Sequence, residues 1–268
     1  MALTILFFGD VVGALGRQAL AKVLPELKRR HGADLAIANV ENLAHGAGVT
    51  TQTLEDLSAA GIDVFTGGGH SWSNPVGSPA YDDPAWRERL AVPMNSGSAK
   101  SGHADVLRTV DGRRVLILSI AGALFTEPDT RSPFRALDDL LALHADPKPD
   151  AVIVDLHAEA TAEKEAFGHF ADGRVTAVLG THTHIQTSDA KILPSGTAYL
   201  TDIGRCGSFD SVIGFDKKTA VQRFLSGEHG KYDLERSGKA EVDFAVLRLD
   251  PKTSRAVGLD AFREIVDV

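Results

Sequence analysis

From its start to about position 225, the chain alternates short apolar runs with stretches in which apolar residues recur at helical spacing. This is the pattern of βα units around a largely parallel sheet. Residues 3–8 read as a strand. Ala19, Leu20, Val23, Leu24 and Leu27 then fall on one helical face, and Pro25 predicts a kink or break in that helix because its ring removes a backbone donor. A second strand over residues 35–40 leads to a helix that runs from an N-capping Thr51 to Ala60, with Gly61 stopping it. Residues 62–66 form the third strand.

Further strands are expected over 115–120, 151–155, 175–179 and 197–201, with helices near 133–144 and 163–170. In the tail, Val242, Phe244 and Val246 face one way and Leu247 and Leu249 the other, followed by Val257, Leu259 and Phe262. That alternation predicts an antiparallel closing pair. Residues 67–102 are rich in Gly, Pro, Ser and Asn, and only 84–90 looks helical, so the segment is expected to cover one edge of a site as loops. No repeat and no separating linker is visible, and the expected organisation is a single domain over residues 1–268.

The balance of 43% hydrophobic and 24% charged residues in 268 is that of a globular chain long enough to bury a real core. A formal charge of −8 without clustered Lys and Arg argues against a stable nucleic-acid complex, while a small anionic substrate stays open if metal ions supply positive charge locally. Cys206 is the only cysteine, which excludes an intramolecular disulfide and favours a reducing compartment. The apolar start lacks a basic stretch and a small-residue cleavage site, and no run approaches the roughly 20 apolar residues of a membrane span. A soluble, cytoplasmic protein with no membrane partner is the expectation.

Residues able to bind metal follow the strands: Gly9-Asp10, Glu41-Asn42, Gly69-His70, His157, and the run Thr181-His182-Thr183-His184. The carboxyl ends of parallel strands lie along one edge, so these groups are expected to converge though far apart in sequence. Each alone has a plainer reading. Asp10 suits a helix N-cap, Glu41-Asn42 a solvated turn pair, and His157 a structural histidine. His182 and His184 would share a face on a strand, while Gly180 favours a loop. Taken together, a carboxylate able to bridge, several imidazoles and a carboxamide suit Mn, Fe or Zn better than Ca. Two such ions roughly 3.5–4 Å apart serve phosphoester hydrolysis.

The stretches ILFFGDVVGALGR, IANVENLAHGAGVT, IDVFTGGGHSW, VDLHAEATAEKEAFG, GRVTAVLGTHTHIQTSDAKILPSGTAYLTDIG and FDSVIGFDKKTAVQRFL resemble the YmdB-like branch of the calcineurin-type metallophosphoesterases, in order and spacing, from residue 5 to about 225. The resemblance implies a four-layer αββα α/β sandwich, a dinuclear centre, and phosphodiesterase activity, notably on 2′,3′-cyclic nucleotides. It implies Asp10, Asn42 and His184 as ligands of one ion, Glu41 bridging, His157 and His182 as ligands of the second, and His70 as the general acid. It also implies a homo-oligomer.

Three departures from the family pattern stand out. Gly69 replaces an asparagine expected to bind the second ion, leaving that place to water or to a side chain such as His45 or Asn74, with weaker binding of that ion. Val92 and the pair Arg205-Cys206 also depart from the pattern, at positions expected to line the substrate pocket. Asn95 and Arg205 are the candidate substrate contacts, against a plainer reading of Arg205 as an exposed loop residue and of Cys206 as a small half-buried one. The leading expectation is a metal-dependent phosphodiesterase or phosphatase for a small phosphoester. The alternative is a catalytically weakened homologue that binds a nucleotide or a partner protein. A dinucleotide site at GDVVGALG is disfavoured by its glycine spacing and by Asp10.

Overall fold

The computed structural model describes residues 2–74, 78–227 and 233–268. In chain order the strands are β1 (Leu3–Phe8), β2 (Asp10–Val11), β3 (Leu35–Asn39), β4 (Val64–Thr66), β5 (Leu90–Ala91), β6 (Asp105–Val110), β7 (Arg113–Ala121), β8 (Ala151–His157), β9 (Ala177–Thr181), β10 (Lys191–Ile192), β11 (Ala198–Leu200), β12 (Arg205–Ser208), β13 (Lys239–Leu249) and β14 (Ala256–Asp267). The helices are α1 (Gly13–His31), α2 (Thr51–Ala60), α3 (Ser78–Asp82), α4 (Pro84–Arg87), α5 (Pro133–Leu143), α6 (Thr161–Ala171) and α7 (Lys217–Ser226).

The strands form two sheets, ordered β2-β12-β13-β1-β3-β4-β5 with β14 on β13, and β10-β11-β9-β8-β7-β6. Within them, β1, β3, β4 and β5 run parallel, as do β7, β8, β9 and β11. The apolar pattern predicted one largely parallel sheet. Strands buried on both faces read alike whichever sheet they join, so the division in two is not visible in the pattern.

Side-chain alternation sorts the apolar residues into three seams. Leu3, Ile5 and Phe7 of β1 meet Val115, Ile117 and Ile153 of the other sheet. Leu6 and Phe8 turn the other way, onto Leu20 and Leu24 of α1 and Leu54 of α2. Leu116, Leu118, Val152 and Val154 pack under Leu137 of α5 and Phe167 of α6. Three seams separate four layers, α-β-β-α, and truncating one of the fully buried phenylalanines to alanine would cost about 3–5 kcal/mol.

Several local expectations shift. Helix α1 continues through Pro25 without a break, and ends at Gly32 in the left-handed conformation. The N-cap of α2 is Thr50 rather than Thr51: its hydroxyl accepts from Thr53 N–H, and the Thr53 hydroxyl accepts from Thr50 N–H, a reciprocal box. Strand β9 begins two residues later than expected and takes in Gly180 and Thr181. The closing pair β13–β14 is antiparallel over its whole length, with Val242, Phe244 and Val246 facing the helices and Leu247 and Leu249 the other sheet. Among the described residues no helix is long and apolar enough to cross a membrane.

Candidate metal centre

The carboxyl ends of β1, β3, β4, β8 and β9 open on one side of the molecule, so the donor groups come from both sheets. Asp10 follows β1, Glu41 and Asn42 follow β3, His70 stands on a single 3-10 turn (Gly69–Ser73) after β4, His157 closes β8, and His182 and His184 follow β9. Asp10, Glu41, Asn42, His157 and His184 are buried, His182 is half-buried, and His70 is exposed.

Among the described residues two groups of donor atoms form, and Glu41 belongs to both. Glu41, His157 and His182 have ligand atoms within 4.8 Å of one another, as do Asp10, Glu41 and His184. Glu41 Oε2 lies 3.0 Å from His157 Nε2, and His157 Nε2 lies 3.0 Å from His182 Nδ1. Asn42 joins the second group, with Oδ1 3.1 Å from His184 Nε2.

The orientation of each donor is set by a bond behind it. Thr181 gives its hydroxyl proton to Asp155, so it accepts from His157 Nδ1–H at 2.9 Å, which turns Nε2 toward Glu41. Asp155 also accepts from Asn39 of β3 and Thr66 of β4, which ties the two sheets together beneath the site. His184 gives Nδ1–H to the carbonyl of Ile213 at 2.8 Å, freeing Nε2. Asn42 gives its amide N–H to Gly46, so its oxygen points inward.

The loop carrying His182 and His184 is anchored by a buried ion pair. Lys164 Nζ reaches Asp202 at 2.7 Å and the Thr181 carbonyl at 2.8 Å, while Asp202 accepts from the backbone and hydroxyl of Thr183. Both histidines have positive φ, 99° and 65°, a conformation costing about 1–3 kcal/mol each that survives only where surroundings enforce it. The Gly180 reading of a loop describes them correctly, and they fall in different donor groups.

The electrostatics suit a cation. Burial raises Asp10 well above the usual carboxylate range, with His157 opposing and Glu41 and Asp202 adding to the rise, and its Oδ1 is a buried atom with no hydrogen-bond partner among the described residues. Burial would also raise Glu41, but the charge and hydrogen bond of His157 carry it below its ordinary value. Burial disfavours a charged His157, yet Glu41 and Asp10 lift it to about 9. His182 is pushed down to about 3 by burial and then by His157, so it is neutral at physiological pH and able to ligate. Buried carboxylates crowded against one another, an orphaned carboxylate oxygen and imidazoles turned toward them together fit divalent cations.

Position 68 shows how closely the chain runs against these donors. A Cβ there would lie 2.3 Å from both Glu41 Oε2 and His157 Nε2, so only glycine fits. His70 N–H donates to Glu41 Oε2 at 3.0 Å, and its ring borders a cleft of about 290 Å³ lined also by Asn42, Glu159, His182, Thr183 and Phe215. Sequence reasoning did not single out Glu159 or Phe215. Glu159 Oε2 sits 3.2 Å from His182 Nε2, and the signal available was its place two residues after His157.

The candidate substrate contacts stand elsewhere. Asn95 is buried and its amide is spent on backbone, donating to the carbonyls of Ala121 and Arg131 and accepting from Ala121 N–H. Arg205 is buried in β12, paired with Glu241 and donating to the His184 carbonyl at 2.9 Å, so it is neither an exposed loop arginine nor open to the cleft. It acts on the site through the backbone of His184. Val92 lies in the core between sheet and helices. Cys206 is fully buried, its thiol pushed well up by burial, which makes it unreactive.

A profile of the YmdB-like protein family matches residues 6–262. The 2′,3′-cyclic-nucleotide 2′-phosphodiesterase of Bacillus subtilis strain 168 is 36% identical over 256 residues, covering 96% of this chain and 95% of its own. A crystal structure of a phosphatase from Mycoplasma pneumoniae superposes with a TM-score of 0.91 at 31% identity, over 100% of this chain and 95% of that one. That of a hypothetical protein from Thermus thermophilus gives 0.89 at 36% identity, over 98% and 99%.

Proposed function

The chain belongs to the YmdB-like family, and from that premise we propose that it is a metal-dependent phosphoester hydrolase, acting on a small phosphodiester of the 2′,3′-cyclic nucleotide class through a pair of divalent cations. The observation that carries the reading is the sharing of Glu41 between two sets of donors. The name of the Bacillus subtilis relative supports the substrate class.

In this reading Asp10, Asn42 and His184 hold one cation, His157 and His182 hold the other, and Glu41 lies between. The donor set suits Mn, Fe or Zn. When bound, the pair supplies charge neutralisation for a phosphate and an acidified water for in-line attack. Thr181 and Ile213 keep the Nε2 atoms of His157 and His184 aimed at the site, and Asn39 holds the Glu41 backbone through its N–H. His70, exposed at the cleft, gives a proton to the leaving oxygen, a role for which an imidazole is suited near neutral pH. A cleft of about 290 Å³ suits a small ester, and a formal net charge of −8 disfavours a nucleic-acid backbone.

The test is turnover by protein reconstituted with Mn²⁺, on an aryl phosphodiester, on 2′,3′-cyclic nucleotides and on phosphomonoesters. Hydrolysis of the diesters, falling roughly 10²–10⁴-fold in His70→Ala with cation content unchanged, supports the proposal. Two cations per chain with no turnover on any ester would favour the other reading, a weakened homologue that binds a nucleotide or a partner.

A further inference from the structure

The two donor groups around Glu41 are unequal. Asp10, Glu41 and His184 are joined by the Asn42 carboxamide oxygen, which makes four protein donors, whereas Glu41, His157 and His182 make three. First-row divalent ions with imidazole and carboxylate ligands take at least four, so the second group is one short or leans more on water.

A carboxylate stands against the backbone one residue beyond Gly68. Gly68, whose Cβ position abuts Glu41 and His157, is followed by Gly69, whose Cα lies about 3.8 Å further on. A Cβ at Gly69 would meet Glu127 Oε1 at 2.1 Å, its Cδ at 2.7 Å and its Oε2 at 2.9 Å. All three nearest atoms belong to Glu127, and neither His45 nor Asn74 is among them. The Glu127 carboxylate therefore fills the volume that a short side chain at position 69 would take.

Glu127 belongs to the segment 122–132 between β7 and α5, which is pinned close to this spot. Ala123 N–H and Leu124 N–H donate to the Glu163 carboxylate, Thr126 Oγ1 to the Gly122 carbonyl, and Thr130 Oγ1 to the Glu127 carbonyl. Phe125 and Asp129, either side of Glu127, have positive φ of 61° and 64°, so the loop holds this shape against a backbone cost. Among the described residues the Glu127 carboxylate has no hydrogen-bond or ion-pair partner.

Resting on the two-cation reading above, we infer that Glu127 is the fourth protein ligand of the cation held by Glu41, His157 and His182, delivered by the β7–α5 loop across the bare backbone of Gly69. Glu127 is not among the atoms of that group in this structure, so ligation requires a change of its own side-chain torsions. It contributes a negative charge as well as a donor. The second site thereby holds two carboxylates, Glu41 shared and Glu127 its own, and is harder than three donors with a neutral amide would be. That favours Mn²⁺ over softer ions.

The experiment is Mn²⁺ binding to chelator-stripped protein, followed by equilibrium dialysis with metal analysis and by electron paramagnetic resonance, which separates an exchange-coupled pair from isolated ions. Wild-type protein is expected to take up two ions and give the coupled spectrum. Glu127→Ala is expected to keep the first ion at wild-type affinity and bind the second at least 10-fold more weakly, with the coupled signal lost at equal Mn²⁺. Glu127→Gln is expected to fall between. Gly69→Asn/Glu127→Ala, which puts a carboxamide into the cleared volume, is expected to recover the second ion, and this guards against a merely misfolded loop. Unchanged binding of both ions by Glu127→Ala would overturn the inference and leave the two-cation reading standing. Uptake of fewer than two ions by the wild-type protein would overturn the two-cation reading itself.

Discussion

His157 and Thr181 are joined by a 2.9 Å bond from Nδ1–H to the threonine hydroxyl, and that bond decides which imidazole nitrogen faces Glu41. Thr181 in turn donates to Asp155, which also accepts from Asn39 and Thr66 of the opposite sheet. The ligand geometry of one sheet is thus set partly by side chains of the other.

Replacing Thr181 with valine keeps the shape and removes the hydroxyl. Affinity for the cation at Glu41, His157 and His182 is expected to fall roughly 10–100-fold, the usual effect of losing a partner behind a ligating histidine. Asp155 loses one of its donors, and stability is expected to drop by about 1–3 kcal/mol. Metal titration and urea unfolding read the two effects separately. Wild-type affinity in the valine variant would mean that His157 is oriented by something else.

Arg205 and Glu241 form a buried pair, and the same guanidinium holds the His184 carbonyl. Arg205→Met leaves Glu241 buried beside Asp243, with Arg263 the remaining cation close by. A loss of about 3–5 kcal/mol in unfolding free energy is expected, together with weaker binding of the cation at Asp10, Asn42 and His184. A loss below about 1 kcal/mol, typical of an exposed pair, would contradict the buried role.

Lys164 and Asp202 lie under the loop that carries His182 and His184. Lys164→Met strands the Asp202 charge and is expected to destabilise by about 3–5 kcal/mol, while Lys164→Met/Asp202→Asn is expected to recover part of that. Because each histidine serves a different donor group, both cations should bind more weakly in the single variant. Equal stability of the single and double variants in denaturant titration would show the pair to be uncoupled.

His157 carries the pH prediction. Its ordinary value near 6.5 is lifted to about 9, because Glu41 and Asp10 outweigh burial. A raised histidine stabilises the fold fully below its unfolded value and loses that contribution as pH climbs through the folded one. Chelator-stripped protein should therefore melt progressively lower between pH 6.5 and pH 9. Cation binding uses the same nitrogen and expels the proton, so Mn²⁺-loaded protein should lack this decline, and uptake at pH 7 should release protons to buffer. Calorimetry in two buffers of different ionisation enthalpy measures the release, and its absence would mean that His157 does not bind in place of its proton.

Much of this was legible in the chain because a strand end is a simple landmark. Asp10, Glu41, His157 and His182 each fall within two residues of the end of a strand, so each was recognisable as an edge residue, whereas their convergence depends on the edges of two sheets opening on one site. The sheet to which each strand belongs was not legible. Val115 and Leu116 are equally apolar, and only the fold says that one faces the other sheet and the other faces a helix. Arg205 was misread because its partner Glu241 lies far along the chain, and polar residues in the short strand β12 look like a loop. Pro25 looked like a helix breaker, yet α1 runs through it, buried along the Leu20, Leu24 and Leu27 face. Glu127 gave no periodic signal at all, since only its contact with Gly69 makes it notable.

The most direct test is anomalous scattering from a crystal of Mn²⁺-loaded protein. Two peaks on either side of the Glu41 carboxylate, roughly 3.5–4 Å apart, with His184 beside one and His157 beside the other, are the predicted result. A single peak, or peaks that leave Glu41 uncoordinated, would contradict the account.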